Sequence, residues 1–261
     1  MAAPTTSSPL SAGSPLRPRS RPRPFPLNLY QNAVGKKWVM ALTGIMLLGY
    51  VLFHLLGNLK LYLGAIDHDG HLVYDVDLYG EWLRDLLVPF LPRTVTLWLL
   101  RIGLIAAFFF HIHAAVTLTR LNQQSNVAYR SKRDFVAANF AARTMRVTGV
   151  IVLAYVLFHL ADLTWGWIPG YDWQRGHVYE NVVGSLSNPV VALVYIVANV
   201  ALSIHIFHGT YSLFQSLGIS NPAYNRMRRQ LAAVFAAIIL IGNVSFPIAV
   251  LTGIIELDPR I

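Results

Sequence analysis

Five apolar segments, each long enough to cross a lipid bilayer, constrain this chain more than any other feature. They lie near residues 38–61, 94–119, 145–168, 189–215 and 231–255. A helix needs about 20 mainly apolar residues to cross the hydrocarbon core, where the backbone must satisfy its own hydrogen bonds. The composition agrees, since 55% of the residues are hydrophobic and only 13% are charged. We therefore predict an all-α fold, an integral membrane bundle of five transmembrane helices.

Basic residues predict the orientation of this bundle. The N-terminal tail and the loops at 120–146 and 216–230 hold most of the 21 Lys and Arg but only one acid, Asp134. The remaining acids lie in the other loops and near the C-terminus. The positive-inside rule then predicts a cytoplasmic N-terminus and an outside C-terminus. Because the net charge of +9 is explained by this topology, we expect no nucleic acid partner.

Residues 1–27 differ from the rest of the chain in composition. They are rich in Pro, Ser and Arg and contain no apolar core, so we predict a disordered basic tail and no signal peptide. Residues 28–261 then form the transmembrane domain. The chain contains no cysteine, which excludes disulfides, iron–sulfur clusters and covalently attached c-type haem in this subunit.

A histidine motif occurs twice in the apolar segments. The first and third segments each contain a Thr-Gly pair, at Thr43 and Thr148, and each motif ends in Tyr-Val-Leu-Phe-His-Leu. The two motifs place His54 and His159 late in segments that run in the same direction. Ionisable side chains are costly inside a membrane and usually functional. We therefore expect these two histidines to form a pair near the outer face.

Histidines in the second and fourth segments predict a second pair nearer the inner face. The second segment offers His111 and His113, and the fourth offers His205 and His208. The order along the helices favours His113 with His208, and His111 and His205 remain alternative ligands or neighbours of the ligands. The rise per residue places the two levels about 15 Å apart. We expect the repeated motif to mark only the outer level.

Paired imidazoles across a bundle core are what bis-histidine ligation of haem iron requires. The alternatives for a membrane histidine are a hydrogen bond to a neighbouring helix, a transition-metal site and a proton relay. Metal sites usually add carboxylate or thiolate ligands, and we expect none beside these histidines. Two matched levels therefore favour two b-type haems, with the four iron ligands His54, His159, His113 and His208.

Haem propionates are anionic and need cationic partners. Arg120 and Arg146 lie near the inner ends of the second and third segments, and Lys60 and Arg101 lie toward the outer side. These four side chains are candidate propionate partners. The alternative for each is anchoring at the membrane interface.

Six sequence blocks along residues 28–255 resemble a known family. They are Gly35-Lys36-Lys37, Met40 to Gly44, Phe53 to Asn58, Phe110 to Ala115, Thr148 to His159, and His205 to Gly218. Their order and spacing resemble the dihaem cytochrome b membrane-anchor subunit of succinate:quinone oxidoreductases (succinate dehydrogenase or fumarate reductase). The most similar subtype is the five-helix b558-type anchor.

The resemblance implies a function and a set of partners. It implies a flavoprotein and an iron–sulfur subunit on the cytoplasmic face of a bacterial cytoplasmic membrane, within a complex of the tricarboxylic acid cycle that can form larger oligomers. Electrons would pass between succinate, these subunits, two haems and a quinone, with menaquinone the expected one. It also implies the pairs His54–His159 and His113–His208. The chain itself contains nothing that resembles a flavin or dicarboxylate site, so we expect an electron-transfer subunit that does not itself oxidise succinate.

Two other functions remain open from the sequence. One is the cytochrome b subunit of another quinone-linked complex, of the nitrate reductase or hydrogenase type, although the ligands in those proteins are distributed differently over the helices. The other is a haem-free membrane transporter or scaffold, in which the repeated motif would be an internal repeat.

Overall fold

The computed structural model describes residues 30, 32–128, 136–219 and 221–261, with side chains described outside residues 124–142. The predicted tail, residues 1–27, lies outside the described residues. The helices are α1 (Ala33–Asn58), α2 (Asp75–Arg84), α3 (Val95–Ala128), α4 (Val136–His159), α5 (Val178–Leu186), α6 (Pro189–Ser216) and α7 (Asn225–Leu251), and a hairpin is formed by β1 (Ala65–His68) and β2 (His71–Tyr74).

Five of these helices are long and apolar enough to cross a membrane, which confirms the predicted fold class. With their short 3₁₀ or π extensions, the five spans are Ala33–Leu63, Val95–Gln123, Arg143–Thr164, Pro189–Ser216 and Pro222–Leu251. Five crossings would put the two ends of the bundle domain on opposite sides of a membrane. Which side is cytoplasmic stays a prediction from the distribution of charge.

The bundle is organised around α6. This helix packs against α4 on one side and α7 on the other, while α1 packs mainly against α3 and also touches α6 and α7. The start of α6 follows a standard pattern, because Pro189 occupies the first turn and the Asn188 side chain accepts a 3.0 Å hydrogen bond from the amide of Val190. The result is two helix pairs, α1 with α3 and α4 with α6, which bring together the histidine-bearing segments.

A small cap covers one end of the bundle. It consists of the hairpin, in which Ala65 pairs with Tyr74, and of helices α2 and α5. Tyr74 and Tyr179 stack with ring centroids 3.8 Å apart, and both are buried. The Asp77 carboxylate accepts hydrogen bonds from two backbone amides at the start of α5, and burial raises its pKa. The cap therefore connects the loops that follow α1 and α4.

Gly242 sets the distance between α7 and α1. A Cβ atom at this position would lie 2.6 Å from a methyl carbon of the buried Leu55. We expect Gly242→Ala to destabilise the folded bundle by about 1–3 kcal/mol, the usual cost of overpacking a core. The midpoint of unfolding in detergent would measure it.

The control is Gly80→Ala, because a Cβ on Gly80, within α2, meets no atom within 4 Å. That substitution should be neutral or stabilising by up to about 1 kcal/mol, since Ala favours helix over Gly. Equal stability of the Gly242 and Gly80 variants would contradict the close approach of α1 and α7.

Candidate functional site

His54 and His159 face each other across the bundle. His54 lies on α1, His159 is the last residue of α4, and their ring centroids are 5.9 Å apart with the planes at 81°. Within each copy of the repeated motif, the tyrosine one turn earlier also lies beside the ring, at 5.4 Å for Tyr50 and 5.8 Å for Tyr155. We call His54 and His159 the first pair; the structure brings together the two histidines that the repeat predicted.

A second facing pair is formed by His111 on α3 and His205 on α6. Their ring centroids are 6.4 Å apart with the planes at 70°. We call these two residues the second pair. The order along the helices favoured His113 and His208 and left His111 and His205 as alternatives. The structure brings together these two alternatives.

The Thr-Gly halves of the repeated motif lie against the second pair. Thr43 Oγ1 is 3.3 Å from His111 Nδ1, and Thr148 Oγ1 is 3.3 Å from His205 Nδ1. A Cβ on the next residue, Gly44 or Gly149, would lie 3.5 Å from Cε1 of the same ring. Each copy of the repeated motif therefore contributes a histidine to the first pair and a Thr-Gly contact to the second pair. The expectation that the repeat marks only the outer level was wrong.

These hydrogen bonds fix which ring nitrogen is free. Each threonine hydroxyl donates its hydrogen to a backbone carbonyl one turn earlier, over 2.7 Å to Val39 for Thr43 and to Thr144 for Thr148. A hydroxyl has one hydrogen to donate, so the oxygen can only accept from the imidazole. The Nδ1 atoms of His111 and His205 therefore carry the protons, and each Nε2 keeps the lone pair that a metal ion needs.

His113 and His208 occupy different environments. The His113 ring is exposed, its Nδ1 lies 2.5 Å from the Tyr30 hydroxyl, and it stacks near Phe109. His208 uses Nε2, the nitrogen that the second pair leaves free, in a 3.3 Å hydrogen bond with Thr144. Among the described ring contacts, none joins His113 to His208.

The four candidate propionate partners also differ in environment. Lys60 forms a 2.5 Å ion pair with Asp75 at the capped end of the bundle, so its charge already has a partner. Arg101 lies over the Trp98 ring at 5.3 Å, an arrangement typical of a cation–π contact. Arg101, Arg120 and Arg146 are exposed. The arginines therefore suit an anionic group better than Lys60 does.

Each pair presents two facing imidazoles, the number of axial ligands that a haem iron can take from a protein. Metal–nitrogen bonds of about 2 Å on opposite sides of one ion place the ring centroids roughly 6 Å apart, close to the spacing of both pairs. A tetrahedral zinc site needs four ligands, whereas haem iron takes only two axial ligands from the protein.

The pairs lie at different depths. Thr148, which contacts the second pair, and His159, which belongs to the first, are eleven residues apart on α4. The same interval separates Thr43 from His54 on α1. At 1.5 Å per residue the interval corresponds to about 16 Å along the bundle, in line with the spacing that the sequence predicted.

One carboxylate near the first pair was not predicted from the sequence. Asp162, fully buried, lies one turn beyond His159 in a short π-helical extension of α4, Leu160–Thr164. Its Oδ2 accepts a 2.8 Å hydrogen bond from the Tyr195 hydroxyl, whose oxygen lies 3.4 Å from His159 Nδ1. The expectation that no carboxylate lies beside the histidines was therefore wrong. The position of Asp162 within the third apolar segment, residues 145–168, could have indicated this carboxylate.

Comparison with known proteins gives one match. Residues 140–244 match the model of a family described as the succinate dehydrogenase/fumarate reductase transmembrane subunit. The matched region includes most of α4, all of α6 and much of α7, and with them His159, His205 and Asp162. No curated protein and no solved structure matches the chain. This part of the chain is thus similar to membrane subunits of that family.

Proposed function

We propose that the chain is the membrane-anchor cytochrome b subunit of a succinate dehydrogenase. In this role it binds two b haems and passes electrons between an iron–sulfur partner and a membrane quinone. The observation that carries the proposal is the presence of two facing imidazole pairs, at 5.9 and 6.4 Å, within five membrane-spanning helices. The family match over residues 140–244 supports the same function.

In this proposal each histidine binds iron through Nε2. His54 and His159 are the ligands of one haem, and we now assign His111 and His205 to the other. Thr43 and Thr148 hold the second pair by accepting from Nδ1, which fixes both ring orientation and tautomer. Gly44 and Gly149 lie beside these rings, where an added Cβ would make ordinary van der Waals contact at 3.5 Å.

Bound haem would supply one-electron carriers at two depths. The protein holds the ligands in an apolar interior, which together with their hydrogen bonds sets the reduction potentials. Arg101, Arg120 and Arg146 are the candidate partners for the propionates. Membrane lipid surrounds the apolar outer faces of the helices, and the quinone, with menaquinone the expected one, reaches the protein from that phase.

The partners follow from the same assignment. An anchor of this kind joins a flavoprotein subunit, which oxidises succinate, to the membrane through an iron–sulfur subunit. We assign the docking face to the end opposite the hairpin cap, because α3 and α6 end there and the basic segments of the sequence follow these two helices. The positive-inside rule predicts that this end is cytoplasmic. The chain contributes electron transfer and attachment.

Purification of the intact complex from its native membrane tests this function. A C-terminally tagged chain in mild detergent should bring down a flavin-containing and an iron–sulfur subunit, and succinate should reduce its haem. The matched control is fumarate without succinate, which should leave the haem oxidised.

A different result would identify a different complex. Co-purification with a nitrate reductase or hydrogenase catalytic subunit, together with no reduction by succinate, would contradict the succinate dehydrogenase assignment. It would favour the cytochrome b of another quinone-linked complex.

A further inference from the structure

Asp162 is the most enclosed acidic group among the described residues. Its relative exposure is 0%, and both carboxylate oxygens accept hydrogen bonds from hydroxyl groups. Ser185 donates to Oδ2 over 2.6 Å, and Tyr195 donates to the same oxygen over 2.8 Å. The Tyr171 hydroxyl shares its one hydrogen between Oδ1, at 3.1 Å, and the backbone carbonyl of Asp162, at 2.9 Å. Three donors that converge on one carboxylate form a built site rather than a chance contact.

The pattern of hydrogen bonds indicates an ionised carboxylate. Three hydroxyl groups lie within hydrogen-bond distance of the carboxylate, and hydrogen bonds donated to a carboxylate favour its charged form. Burial raises the pKa of Tyr171, and the Asp162 charge raises it further, so this hydroxyl keeps its proton and can donate. Within the described part of the chain, no Lys or Arg forms an ion pair with Asp162.

A buried charge without a cationic partner is costly even when it is hydrogen-bonded. The Tyr195 hydroxyl connects Asp162 to His159 of the first pair. The Tyr195 hydroxyl donates its only hydrogen to Asp162, so its oxygen can accept from His159 Nδ1 at 3.4 Å. The carboxylate is thereby linked to the ring that we assign as an iron ligand.

We propose that Asp162, acting through Tyr195, is a positioning residue that holds His159 as the Nδ1–H tautomer and lowers the reduction potential of the haem bound by the first pair. This inference rests on the proposed function. The oxidised centre carries one more positive charge than the reduced centre, and a fixed anion nearby stabilises the oxidised form. A stronger acceptor at Nδ1 also makes the ligand more basic, which acts in the same direction.

The second pair has no equivalent of Asp162 among its described hydrogen-bond partners. Its Nδ1 atoms bond to the neutral hydroxyls of Thr43 and Thr148. The two levels are otherwise built from equivalent parts, so Asp162 makes them electrostatically different. The first centre should have the lower potential of the two because of this charge.

Redox titration of the purified complex carrying Asp162→Asn tests the proposal. Both haems should be retained, and the equilibrium constant for reduction of the first centre should rise about tenfold, a shift of about 59 mV for one electron. The reduction potential of the second centre should not change. The low-spin ferric electron paramagnetic resonance signal of the first centre should shift too, because the ligand field of His159 changes.

Two further variants provide the same test if the Asp162→Asn protein does not accumulate in the membrane. Tyr195→Phe breaks the link but keeps the charge, and it should raise the potential of the first centre by a smaller amount. Tyr171→Phe removes a donor to Asp162 without touching His159, and it should change the potential less than Tyr195→Phe does.

The outcomes separate this inference from the proposed function. Wild-type complex with two haems, but with first-centre potentials unchanged by Asp162→Asn and by Tyr195→Phe, would overturn the role of Asp162 alone. Equal shifts at both centres would also overturn it, because the effect would not pass through His159. Wild-type protein without haem would overturn the proposed function and this inference with it.

Discussion

Replacing His54 or His159 with Ala is expected to remove the same haem from the protein and to leave the other in place. The two rings face each other at 5.9 Å, so in the proposed function each variant would deprive one iron of one of its two axial ligands. Bound haem should fall from about two to about one per chain, since a b haem is held mainly through its axial ligands. Haem extraction together with the reduced-minus-oxidised spectrum measures both number and identity.

The matched control is His71→Ala, which removes an exposed histidine from strand β2. That variant should keep both haems and the same spectrum. Loss of spectrally different haems in the His54 and His159 variants would contradict the first pair.

Replacing His111 or His205 with Ala is expected to remove the other haem, again from about two to about one per chain. These rings face each other at 6.4 Å, and their Nδ1 atoms are already bonded to Thr43 and Thr148. In the proposed function the free Nε2 atoms would then be the iron ligands. The same spectroscopic assay applies, and the haem that remains should be the one lost from the His54 variant.

The neighbouring histidines provide the matched controls for this second result. His113→Ala and His208→Ala should keep both haems, because these rings bond to Tyr30 and Thr144 and do not face each other among the described ring contacts. Loss of one haem in both of these variants, with both haems kept after His111→Ala and His205→Ala, would restore the pairing that the sequence favoured.

The number and approximate limits of the transmembrane helices could be predicted from the sequence, because an apolar run of about 20 residues has few alternatives in a bilayer. The fifth helix begins earlier than the predicted residue 231, at Asn225. Arg226, Arg228 and Arg229 made this stretch part of a predicted basic loop, residues 216–230. In the structure the buried Arg228 guanidinium donates to the carbonyl of Ile219 and lies over the Tyr211 ring of α6, so contacts outside α7 accommodate its charge.

The choice between neighbouring histidines could not be made from the sequence. His111 and His113 lie at nearly the same depth and differ in the direction in which they leave α3, which depends on how that helix is rotated about its axis. The Thr-Gly pairs were visible in the repeat, but their contact with His111 and His205 requires the packing of α1 on α3 and of α4 on α6.

The link from Asp162 to His159 could not be predicted from the sequence either. Asp162 lies one turn beyond the histidine, yet the hydroxyl that joins them belongs to Tyr195 on another helix. Nothing in the local sequence identifies that tyrosine as the partner. Contacts between helices at this distance along the chain are determined by tertiary packing.

The haem content of the purified wild-type protein tests the central claim most directly. Two facing histidine pairs at two depths predict about two haems per chain and a reduced-minus-oxidised spectrum of the b type, with low-spin bis-histidine iron. A well-folded, monodisperse preparation from haem-sufficient cells that carries no haem and shows no such spectrum would contradict the account.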